Sequence, residues 1–155
     1  MDEADGKKEG FENHVSKAMK RYNYLIGEME AVYHEMSLKT GLSDSAMKIL
    51  YMVCDKDGRC PLQNIVRYYG MSKQTVNSAI RKLEAEGILY LEPAGAKNKN
   101  VCLTEEGSRL AFRTAGRVIK AENDIFKSWP EEDVQKYLEL TERFLYALRD
   151  RAKNF

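Results

Sequence analysis

At 155 residues, with 25 basic and 24 acidic side chains and a net charge of +1, the chain has the size of one ordinary domain or of a small module with helical extensions. The near-neutral balance does not announce a nucleic-acid binder, and no stretch approaches the apolar length needed to span a membrane. The opening MDEADGKKEG lacks the form of a signal peptide, and the odd set Cys54, Cys60 and Cys102 points to a reducing cytoplasm.

Residues 1–10 are expected to be disordered. From Phe11 the pattern turns helical, with Val15, Met19, Tyr22, Leu25, Ile26, Met29, Val32, Tyr33 and Met36 recurring on one side until Gly41 ends it. Ser43 caps a second helix bearing Ala46, Met47, Ile49, Leu50, Met52 and Val53. Pro61 to Tyr69 (PLQNIVRYY) reads as a helix whose first turn suits proline and whose stripe is Leu62, Ile65, Val66 and Tyr69. Gly70 breaks it, and Met71 to Gly87 (MSKQTVNSAIRKLEAEG) forms the next helix, with Ser72 as N-cap and Gly87 as its stop. Helix, tight glycine turn, helix is helix-turn-helix spacing.

The second of these helices has two unlike faces. Val76, Ala79, Ile80 and Leu83 point inward by their spacing, and Lys73, Gln74, Asn77, Ser78 and Arg81 lie opposite. Glutamine and asparagine read adenine edges, arginine and lysine read guanine, and hydroxyls such as Ser72, Thr75 and Ser78 contact bases or phosphate. An ordinary amphipathic surface helix would also carry a polar face. The segment C-terminal to this helix favours the DNA reading. Ile88 to Glu92 reads as a strand, residues 93–100 as a turn-rich tip with Lys97 and Lys99 and no acid, and Val101 to Leu103 as the return strand. A basic hairpin beside such a helix is a wing, which contacts phosphates or the minor groove. Between Arg59 and Lys99 the balance is +4, leaving −3 on the rest, so a basic module sits on a mildly acidic body.

A long helix is expected from Thr104 to about Lys127, with Leu110, Ala111, Val118, Ile119, Ile125 and Phe126 inward. Trp129-Pro130 interrupts it, and Glu131, Glu132 and Asp133 favour a new helix start through the macrodipole. That last helix carries Val134, Tyr137, Leu138, Thr141, Phe144, Leu145 and Leu148 on one face. The expected fold is mainly α with a small β-wing. A winged helix-turn-helix DNA-binding domain spans 43–103, a connecting helix 104–127, and dimerisation helices 11–41 and 126–153 flank them. The terminal helices have wider apolar faces than a small winged domain needs, which favours packing on a second copy about a two-fold axis. Two recognition helices then address half-sites about one helical turn apart.

GLSDSAMKILYMV, then PLQNIVRYYGMSKQTVNSAIRKLEAEGILYLEPAG, then VCLTEEG, resembles the MarR family of bacterial transcription regulators, over about Phe11 to Lys153. The most specific pieces are SKQTVNSAIRKLEAEG, matching a serine-led recognition helix ending in Leu-Glu-x-x-Gly, and Leu103-Thr104-Glu105-Glu106-Gly107, matching Leu-Thr-x-x-Gly after the wing. The resemblance implies a cytoplasmic homodimer, joined through its terminal helices, on an inverted-repeat operator in double-stranded DNA. It most often implies a repressor, released by a small molecule or oxidant. Such effectors bind between the dimer helices and the winged domain, where Tyr22, Met29, Tyr33, Met47 and Tyr51 are candidate lining residues, although methionine and tyrosine at helical spacing also simply pack. The chain departs from the family at the wing tip, where Asp-x-Arg is usual and Gly95-Ala96-Lys97-Asn98-Lys99-Asn100 stands instead. Lysine sheds its hydration less readily than arginine, so wing contacts are expected to fall mainly on phosphate.

Cys60, near Lys56 and Arg59, is the cysteine expected to be exposed with a lowered thiol pKa, which keeps a redox-responsive regulator open as an alternative. The resemblance speaks against it, because the family's hydroperoxide sensors carry their cysteine near the N-terminus, where this chain has none. A winged-helix adaptor without operator binding is the other alternative, and the polar face of residues 73–81 argues against it. A PadR-like regulator usually begins with its winged domain, whereas a long helix precedes it here. No metal-ligand spacing, cofactor motif, phosphate loop or nucleophile–base pair points to an enzyme.

Overall fold

A computed structural model describes residues 13–155, so Phe11 and the disorder expected of residues 1–10 lie outside the described residues. Helix α1 (Lys17–Thr40) starts at Ser16, whose Oγ accepts the Met19 N–H, and ends where the Gly41 N–H reaches the Leu38 carbonyl. Helix α2 (Asp44–Asp55) starts in the same way at Ser43, and α3 (Leu62–Tyr69) and α4 (Lys73–Ala85) come next. Gly70 between them has φ +60°, a left-handed turn that glycine takes without a Cβ penalty. Strands β2 (Leu89–Pro93) and β3 (Lys99–Leu103) pair antiparallel, with Tyr90 opposite Cys102 and Pro93 opposite Lys99.

A third strand, β1 (Arg59–Pro61), pairs with the other side of β3, giving the order β1-β3-β2. Sequence reading places Pro61 in the first turn of α3, whereas it ends β1 and caps the helix. Proline is tolerated because β1 is an edge strand. The core joins α2, α3, α4 and the sheet through Ile49, Leu50, Val53, Ile65, Val76, Leu89 and Val101, all fully buried, with Ala115 and Val118 closing one side.

The single long helix expected from Thr104 to Lys127 is instead two, α5 (Glu105–Arg113) and α6 (Ala115–Ser128). Buried Thr114 lies between them at φ −122°, ψ −88°, its Oγ1 donating to the Leu110 carbonyl four residues back, a bond that competes with the helix ladder. Ile125 and Phe126, expected inward, are exposed; Phe126 packs on Trp129 and Tyr137 instead. Helix α7 (Glu131–Ala152) completes the chain and has no buried residue over its 22 positions.

Thr104 and Gly107 give the Leu-Thr-x-x-Gly segment its physical basis. Thr104 Oγ1 accepts the Gly107 N–H at 2.9 Å and donates to the Gly87 carbonyl at 2.6 Å, tying the start of α5 to the end of α4. Gly107 is buried against the Ile88 carbonyl, with no room for a Cβ.

Candidate nucleic-acid interface

Ser72 Oγ accepts the Thr75 N–H at 3.1 Å and lies 2.8 Å from Thr75 Oγ1, so both hydroxyls hold the first turn of α4 as well as facing outward. Val76, Ile80 and Leu83 anchor the helix from below. Their burial leaves Lys73, Gln74, Asn77, Ser78 and Arg81 exposed. None of Lys73, Arg81, Lys97 and Lys99 has an ion-pair partner among the described residues, whereas Arg59 is paired with Glu92 at 2.9 Å. Four cations with no carboxylate partner therefore lie on α4 and at the hairpin tip. The tip is closed by the Ala94 N–H on the Asn98 carbonyl, and Lys97 and Lys99 are exposed on it. Sequence reasoning did not place Ser43, Ser45 and Lys82 at this interface, where they line a groove of about 440 Å³ with Gln74, Thr75 and Ser78. The first turn of α2 and α4 are far apart in sequence and meet only in the fold.

A second concavity, about 600 Å³, opens between α1, α2 and α6. Tyr33, Met47 and Tyr51 line it; Tyr22 packs on Phe144 of α7 at 5.1 Å, and Met29 is not among its lining residues. Glu122 of α6 is its centre, accepting the Tyr33 hydroxyl on Oε1 and the Tyr51 hydroxyl on Oε2, each at 2.5 Å. Burial, and then the bond to Glu122, push the Tyr33 phenol up to about 12. Nothing in the sequence pattern marks Glu122, which lies 71 positions from Tyr51.

Cys60 is fully buried, and burial outweighs the pull of Lys56 to push its thiol up, so the expected exposed, low-pKa cysteine is corrected. The cause is β1, which turns Cys60 into the core opposite Val101. Burial also raises the Cys54 and Cys102 thiols, and the Cys102 thiol donates to Glu92 at 3.4 Å. Iodoacetamide at neutral pH should label half-buried Cys54 first and slowly, and reach Cys60 and Cys102 only on unfolding. Rapid labelling of native Cys60, read by mass spectrometry, would contradict this burial. Among the described residues no group of three or more His, Cys, Asp or Glu could hold a metal ion, and no helix is long and apolar enough to cross a membrane.

Residues 40–97 match the model of the MarR family. The fold is similar to NMB1585, a MarR family regulator from Neisseria meningitidis (15% identity, 90% of this chain and 100% of that one, TM-score 0.75). It is also similar to a MarR family transcriptional regulator from Silicibacter pomeroyi (20% identity, 83% and 88%, TM-score 0.66). A third likeness is to MepR of S. aureus in its complex with DNA (16% identity, 87% and 99%, TM-score 0.65). No curated protein sequence matches the chain.

Proposed function

We propose that this chain is a winged helix-turn-helix transcriptional regulator of the MarR family, a repressor that binds an inverted-repeat operator as a homodimer and is released by a small molecule. The carrying observation is the set of exposed side chains on α4 that make no ion pair, followed directly by a hairpin whose tip offers two more unpaired lysines. Lys73, Gln74, Asn77, Ser78 and Arg81 read base edges; Ser72 and Thr75 orient the first turn and touch phosphate; Lys97 and Lys99 hold the backbone beside it. The likeness to a protein solved on DNA supports the same docking. An adaptor would have no use for this mix of donors. Residues 17–40 and 131–152 serve as the dimerisation helices, and the Tyr33–Met47–Tyr51 crevice as the effector site.

A gel shift on the DNA upstream of its own gene, with random duplex as competitor and a salt series, tests the reading. Binding should resist competitor and weaken with salt in proportion to the phosphates neutralised. Arg81→Ala should weaken operator binding by about 1–3 kcal/mol while leaving random DNA nearly unchanged. Lys97→Ala and Lys99→Ala should weaken binding to every sequence and flatten the salt slope. Weak, sequence-blind binding by the wild type would favour the adaptor.

A further inference from the structure

We infer that the crevice between α1, α2 and α6 takes an organic cation, an aromatic or quaternary ammonium, because its central polar group is a carboxylate that already holds the phenol protons of the walls. The inference rests on the reading of this crevice as the effector site. A site built for an organic acid must offer hydrogen-bond donors to the ligand. Here the hydroxyl protons of Tyr33 and Tyr51 both point at Glu122. Each Glu122 oxygen keeps a lone pair after accepting one phenol, so the group remains an acceptor.

Two more carboxylates, Glu30 and Asp44, line the same space, with Lys48 and His34 beside them; His34 Nδ1 lies 2.8 Å from Asp44. The lining therefore carries more carboxylates than cations. Met47 and Val118, both buried, add an apolar wall, and a ligand anion beside it would be repelled by Glu122. Tyr33, Tyr51 and Tyr68 line the same space, and tyrosine is a residue type whose ring attracts a cation. A volume of about 600 Å³ is that of a small-molecule pocket.

The test uses the full-length protein with methyl-labelled methionine, following the Met47 signal by NMR while benzyltrimethylammonium or benzoate is titrated in. The ammonium should shift Met47 with a Kd at least about ten-fold below that of benzoate. Glu122→Gln, of the same shape, should weaken the ammonium about ten-fold or more and narrow that gap. The wild-type comparison stands even where that variant folds poorly. A Met47 shift in which benzoate binds as tightly as the ammonium or tighter would overturn the ligand class and leave the crevice as an effector site. No Met47 shift with either compound would overturn both.

Discussion

Gly107→Ala is expected to lower the stability of the protein by about 1–5 kcal/mol, read from the midpoint of urea unfolding. A Cβ at this position would lie 1.8 Å from the Ile88 carbonyl oxygen, a backbone atom that no rotamer change can move. That carbonyl also accepts the Thr104 N–H at 3.1 Å and lies 3.1 Å from the Thr104 hydroxyl, whose one proton it shares with the nearer Gly87 carbonyl. Making room means lifting α5 from the end of α4, at about 1–3 kcal/mol for overpacking plus about 0.5–1.5 kcal/mol for each hydrogen bond lost. Against this stands the roughly 1 kcal/mol by which alanine exceeds glycine in helix propensity, so the clash decides the sign. The same displacement should loosen the wing, since Ile88 leads directly into β2, and DNA affinity should fall with stability. An unchanged midpoint would mean that Ile88 does not sit over the first turn of α5.

Leu138→Asp combined with Leu145→Asp should turn the proposed dimer into a monomer in analytical ultracentrifugation and remove the proposed tight operator binding. Tyr137, Leu138, Leu140, Phe144, Leu145, Tyr146 and Leu148 of α7 are all 40–58% exposed, an apolar surface that a lone protomer leaves in water. Phe144 and Tyr137 have aromatic partners within the chain, whereas Leu138 and Leu145, seven residues apart, lie on one face without such a ring contact. Burying what remains exposed on each leucine contributes about 1–2 kcal/mol. A two-fold axis counts each leucine twice, so the pair contributes about 4–8 kcal/mol, on the order of a thousand-fold or more in the dimer Kd. Neither leucine belongs to the core of the winged domain, so circular dichroism should show that domain still folded. A variant that stays dimeric would place the interface elsewhere, and a monomeric wild type would remove the homodimer.

Helix α4 was legible because its signals are local. Ser72, Gly70 and Gly87 mark its limits within a residue or two, and the spacing of Val76, Ile80 and Leu83 assigns its buried face, leaving the donors outward. The hairpin was legible for a like reason, though its strands run longer at the tip than expected. Other features were not. Strand β1 is three residues ending in proline, below any periodicity, and it exists because β3 has an open edge to pair with. The Thr114 break depends on a hydroxyl finding the Leu110 carbonyl in a buried setting, where a helical pattern alone predicts continuity.

The crevice shows the same division most clearly. Tyr33, Met47 and Tyr51 were legible from residue type and spacing, but so were Tyr22, which packs on Phe144, and Met29, which does not line the crevice. Fold class, the two-faced helix and its caps come from interactions between neighbours along the chain, within a turn or a hairpin, and those are written in residue order. The burial of Cys60 and the Glu122 carboxylate between two phenols depend on groups tens of residues apart. Only the packing of α1 and α6 on α2, and the pairing of β1 with β3, brings such groups within hydrogen-bonding distance or shuts them away from water.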